Sequence, residues 1–311
     1  MNWKQTLFWS FSAAAIFYYF LLFGVFVFVG QEEMQLFIPE WWYIREFLFQ
    51  PGGFCAVAGQ WIIQYYRQPM SAVVLHMVLL VGFGFMVYRI LRCFSDKTYL
   101  LFLSLLPVLY LVKMSIHGEY LVDGTVGVVL MLLALSVSLK VRRAGSIAGY
   151  GIASTLFLCG LTGLLSVCYA FLYTLLALLR YKTSRQRLAA SACLIPALFI
   201  YLFSGWLGIP VPLSDGWMPE AYLEIQRLPH YYMYRVWTFF TLSIVGVALF
   251  ARFVPVIGEK SKWMDRVALV VCLITVLVSI RFCLPEPWHA QRMMLDELSF
   301  LARERQWDAI I

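Results

Sequence analysis

The chain has 311 residues, 62% hydrophobic, 17% aromatic and 13% charged, with a mean hydropathy of +0.79. Soluble domains carry about 25% charged residues, so a soluble globular enzyme, a disordered chain and a nucleic-acid-binding domain are excluded together. The net charge of +7 is spread in small basic groups between apolar runs, which is the pattern of membrane topology.

A bilayer core requires about 20 mainly apolar residues per helix. On that basis spans are expected near 7–29, 71–91, 99–112, 122–139, 146–160, 163–179, 188–207, 236–254 and 265–284. The segment 149–179 is either one long helix or a hairpin turning at Gly160-Leu161-Thr162-Gly163. Basic groups flank both of its ends, and the positive-inside tendency puts both flanks in the cytoplasm, which requires the hairpin. The expected fold is therefore all-α: a polytopic helical membrane protein of about nine transmembrane helices, N-terminus cytoplasmic and C-terminus periplasmic. Sorted this way, 15 of the 24 basic residues lie in the cytoplasmic loops and 14 of the 17 acids lie outside. The first apolar run has no small-x-small cleavage site before Gln31 and reads as a retained helix rather than a signal peptide.

The transmembrane domain is expected over 1–284, with a first outer loop at 31–70 and a large one at 209–235. In the first loop Pro39 suits the opening turn of a short helix on which Trp41, Ile44 and Leu48 share a face. After Pro51-Gly52-Gly53 a second segment places Phe54, Val57, Trp61 and Tyr65 on one face, with Gln60, Gln64 and Arg67 elsewhere. Both are expected to lie at the membrane interface, with their aromatic rings at headgroup level. The second loop interleaves Trp217, Tyr222 and Tyr231 with Arg227, His230 and Arg235. Residues 285–311 form a periplasmic tail with Met294, Leu298 and Leu301 on one helical face. That face needs a cover, either a partner or the rest of a helical-repeat domain in a longer chain.

Cysteines within the spans act as small apolar packers, and no zinc spacing occurs. Of the histidines only His76 falls inside a span, where packing and hydrogen bonding account for it. With no charged relay at mid-membrane, coupled transport is disfavoured.

The run Glu32-Glu33, then Leu36-Phe37, then Pro51-Gly52-Gly53-Phe54, then Gln60 and Gln64 resembles a Bacteroides-type family of uncharacterised multi-spanning inner-membrane proteins. Longer members of that family look like a membrane domain followed by a tetratricopeptide-like periplasmic domain. The architecture of an acid after the first span and two interfacial helices before the second resembles the GT-C glycosyltransferases. That likeness implies an enzyme using a polyprenyl-phosphate-linked glycan at the periplasmic face, with Glu32 or Glu33 as general base or as holder of a divalent cation. Phosphate or substrate groups would then meet Arg67, His117, Glu119, Asp123, Arg227, His230 and Arg235. The competing expectation is a non-catalytic membrane scaffold, whose outer loops and tail dock protein partners of an envelope or secretion complex.

Overall fold

A computed structural model describes residues 3–34, 37–95, 97–116, 120 and 122–203, with isolated helical positions at 246, 269, 270, 273, 274, 277, 280, 281, 298 and 302. The expected spans 236–254 and 265–284, the loop 209–235 and the tail 285–311 therefore lie outside the described residues, apart from those isolated positions. Every described element is helical.

Helix α1 (Trp3–Phe23) and helix α2 (Val25–Met34) are separated only at Gly24, and the ladder continues across it from Gly24 N–H to Phe20 C=O and from Phe28 N–H to Gly24 C=O. Together they measure about 48 Å at 1.5 Å per residue. A bilayer core is about 30 Å thick, so this rod is longer than the single span expected at 7–29 and carries Gln31 and Glu32 on its far end.

Helix α3 (Trp41–Leu48) buries none of its residues, with Trp41 67% and Trp42 62% exposed, as a helix lying on a membrane surface does. Helix α4 (Gly53–Ile63) behaves differently from the surface helix expected of it. Cys55, Ala56, Gly59, Gln60 and Ile63 are buried in the bundle, whereas Phe54, Trp61 and Tyr65 face outward. The aromatic face is the outer one because lipid is as apolar as leucine, which leaves small and polar residues to make the helix–helix contact. A 3-10 turn, Gln64–Arg67, leads to helix α5 (Pro69–Leu91), whose first position is the proline that a helix start tolerates.

Helices α6 (Tyr99–Leu103) and α7 (Leu105–Ser115) are split at Ser104, where Pro107 removes an N–H and crowds the carbonyl four residues before it. Helix α8 (Val122–Ser138) follows and is buried along most of its length between α4 and α5. Helices α9 (Ala144–Thr162) and α10 (Leu165–Arg180) form the hairpin that the flanking charges required, turning at Gly163 with φ 61°. The run expected as one span at 188–207 is instead helix α11 (Ser184–Ser191), capped by the Thr183 side chain, and helix α12 (Leu194–Leu202). Pro196 accounts for the break between them.

Among the described residues three helices are long and apolar enough to cross a membrane: Gln5–Phe23, Pro69–Leu91 and Ala144–Thr162. Tyr99–Ser115, Val122–Ser138 and Leu165–Arg180 are shorter apolar helical segments. Hydrogen bonds define the two ends of this bundle. At one, Gln5 donates to the Tyr88 hydroxyl, Arg180 to the Cys93 carbonyl and Gln186 to the Arg142 carbonyl. At the other, Gln31 donates to the Ser115 carbonyl, and the Gly52 N–H to the Gly160 carbonyl. The first is the basic end. The second holds Glu32, Glu40, Glu46 and Asp123 and is called the acidic end.

Candidate functional site at the acidic end

Asp123 is the most unusual residue of the acidic end. It stands in the first turn of α8 and is 1% exposed. Neither carboxyl oxygen has a hydrogen-bond partner of normal geometry; the backbone amides of Asp123 and Gly124 are the polar groups beside it. Gly59 of α4 lies directly against it, and a Cβ there would sit 2.7 Å from the Asp123 Cβ and 2.8 Å from its Cα and backbone nitrogen. Only glycine lets α4 come so close, and that approach seals the carboxyl from solvent. A buried polar group without a partner costs free energy and marks a site candidate.

Around α4 the polar groups are paired. Tyr43 of α3 donates to Gln60 Oε1 at 2.9 Å, tying the surface helix to the buried one. Burial pushes the Tyr43 hydroxyl above the usual phenol range, so it remains a donor at physiological pH. Tyr66, fully buried in the 3-10 turn, lies 2.8 Å from His76 Nδ1, and the imidazole stacks on Phe28 of α2. His76 Nε2 is buried with no hydrogen-bond partner, and the His76 ring faces the Tyr120 ring at 6.2 Å. The Tyr120 hydroxyl is bonded to the Thr125 hydroxyl, one turn below the start of α8. A series of buried polar side chains thus runs from Tyr66 of the 3-10 turn through His76 of α5 to Tyr120 and to Thr125 of α8, with Phe28 of α2 stacked on the imidazole.

The residues singled out from the sequence fall at several places. Glu32 is half-buried near the end of α2. Glu33 follows it in the same helix, its side chain outside the described residues. Arg67 is exposed at the end of the 3-10 turn, which packs on α2, so Glu32 and Arg67 occupy adjoining elements. Asp123 shares their end of the bundle but is enclosed beneath α4. His117, Glu119, Arg227, His230 and Arg235 lie outside the described residues. His76 is packed and hydrogen-bonded, as its isolation in an apolar run suggested.

Sequence reasoning did not find the inward orientation of Gln60, the Tyr66–His76 pair or the role of Gly59. Glutamines inside otherwise apolar text were the available signal for the first. Among the described residues no three His, Cys, Asp or Glu side chains come together to hold a metal ion.

No curated protein and no solved structure matches the chain. A family model, described as a family of unknown function (DUF6057), matches residues 1–311. The chain therefore belongs to the DUF6057 family, a family of unknown function.

Proposed function

We propose that the protein is an integral inner-membrane transferase of the GT-C-like kind, with about nine spans, acting on a polyprenyl-phosphate-linked sugar or glycan at its acidic, periplasmic end. The observation that carries this reading is the placement of carboxyls: Glu32 on the overlong first rod and Asp123, sealed by α4, lie at one end of the bundle, where the exposed helix α3 packs on α4. An acid after the first span and two helices before the second is the layout that the GT-C likeness leads one to expect, and the likeness is one of architecture alone.

In the proposed reaction an acceptor hydroxyl gives its proton to Glu32 or Glu33 as its oxygen bonds to the anomeric carbon. The bond from that carbon to the phosphate oxygen breaks, and the polyprenyl phosphate leaves with the bonding pair. Arg67, with Arg227, Arg235 and His230 of the second outer loop, supplies the positive charge that stabilises the leaving phosphate. His117 and Glu119 complete the acceptor side, and Asp123, enclosed beneath α4, positions that side without touching the acceptor.

The test replaces carboxylates by amides. Glu32→Gln and Glu33→Gln, singly and together, are expected to abolish glycan transfer in cells while protein level and membrane insertion stay unchanged. Unaltered transfer in the double variant would overturn the catalytic reading and leave the scaffold.

A further inference from the structure

At the basic end, two loops are locked together by hydrogen bonds that use uncharged side chains and backbone carbonyls. The Tyr181 hydroxyl donates to the Val141 carbonyl at 2.8 Å, and Gln186 Nε2 to the Arg142 carbonyl at 2.7 Å. Arg187 Nε holds the Tyr181 carbonyl at 2.8 Å, which shapes the second loop from within. With the backbones fixed by these bonds, Arg142 and Arg143 of one loop and Lys182 and Arg185 of the other are left exposed. Of the acids, Glu32, Glu40, Glu46 and Asp123 are at the opposite end.

Apolar surface adjoins the cations on the same elements. Leu188 follows Arg185 by three residues on α11, hence on the same face, and is 75% exposed. Tyr150, two turns into α9 from Arg143, is 51% exposed. Cations above outward-facing apolar side chains are at the depth of lipid headgroups, not of bulk solvent.

We propose that the interlocked loops 140–143 and 181–187 bind an anionic phospholipid carrying two phosphates, one met by the Arg142–Arg143 pair and the other by Lys182 and Arg185. Held loops lower the backbone ordering cost of bringing the four cations together, which separates this surface from a scatter of basic residues. The inference is independent of glycan transfer, which is assigned to the other end.

The full chain is reconstituted in phosphatidylcholine nanodiscs containing a minor fraction of either cardiolipin or phosphatidylglycerol, and retained lipid is read by native mass spectrometry. Cardiolipin is expected to be retained in preference to phosphatidylglycerol. One cation near an anionic surface is worth about fivefold in binding, so Arg142→Gln/Arg143→Gln/Lys182→Gln/Arg185→Gln should weaken retention by at least about fiftyfold. Replacing the three arginines by lysine should preserve most of it, and Arg45→Gln at the other end should leave it unchanged. If the quadruple variant fails to insert, the Arg142/Arg143 and Lys182/Arg185 double variants are each expected to lose about tenfold or more. Retention unchanged in these variants overturns the proposal. So does equal retention of the two lipids, or displacement of cardiolipin by soluble pyrophosphate, which would identify a soluble polyphosphate as the ligand.

Discussion

Gly59 on α4 and Asp123 on α8 meet so closely that a methyl group between them would lie 2.7 Å from the Asp123 Cβ and 2.8 Å from its Cα. This one contact presses a helix of the first loop into the bundle and buries a carboxyl that has no hydrogen-bond partner of normal geometry. The seating of α4 and the isolation of Asp123 are therefore one feature, and mutations at the two positions report on it differently.

Gly59→Ala is expected to destabilise the protein by about 1–3 kcal/mol, the usual cost of overpacking. Thermal unfolding in detergent measures this. Because the clash includes the Cα and backbone nitrogen of Asp123, adding Asp123→Ala should not restore stability. Full rescue by the second substitution would mean that the contact is one of side chains alone.

Asp123→Asn keeps the shape and removes the ionisable group. A buried carboxyl whose polar neighbours are only the backbone amides of its own turn contributes little to stability that its amide does not, so the unfolding temperature should stay within about 2 °C or rise. As a positioning residue behind the acceptor side, Asp123→Asn is expected to lower transfer activity at least about tenfold. A large loss of stability with activity retained would make the residue structural.

Tyr66→Phe leaves His76 Nδ1 buried without its 2.8 Å partner and should cost about 1–3 kcal/mol. Tyr66→Phe/His76→Phe removes both polar groups and sets an aromatic ring against Phe28, so much of the stability should return. Equal losses in single and double variants would show that the pair contributes through packing only.

The hairpin between α9 and α10 offers a matched comparison. Gly163 has φ 61° and ψ −134°, a conformation closed to other residues without strain, so Gly163→Ala should cost about 1–3 kcal/mol. Gly160, three residues earlier, has open space where a Cβ would stand, and Gly160→Ala should be neutral or slightly stabilising. The order of the two unfolding temperatures decides the point.

Much of this architecture is legible in the sequence. Apolar length marks the long helices, Pro69 marks the start of α5, and the basic groups flanking 149–179 dictate the hairpin that turns at Gly163. The interruptions at Ser104 and at Ala192-Cys193 have visible prolines downstream. The aromatic face of α4 is legible as one turned to the lipid headgroups, but the burial of its opposite face is not, because Gln60 in a surface helix is expected to meet water rather than a neighbouring helix. Here the aromatic face points out, and Gly59 and Gln60 face in. The burial of Asp123 is set by a glycine 64 positions earlier, and neither residue carries that pairing in its local text. Glu32 and Arg67 are legible as candidates, and their adjoining elements follow only from the fold.

The central claim is that the acidic end handles a polyprenyl-phosphate lipid. Its most direct test is mass spectrometry of lipids cross-linked to the native full chain by a photoreactive residue placed at Gln35 or Gln68, flanking Glu32 and Arg67. The account predicts a polyprenyl-phosphate adduct at both positions that disappears in Arg67→Gln/Arg235→Gln. Adducts of ordinary phospholipid alone, or of another protein covering the first loop, would contradict it.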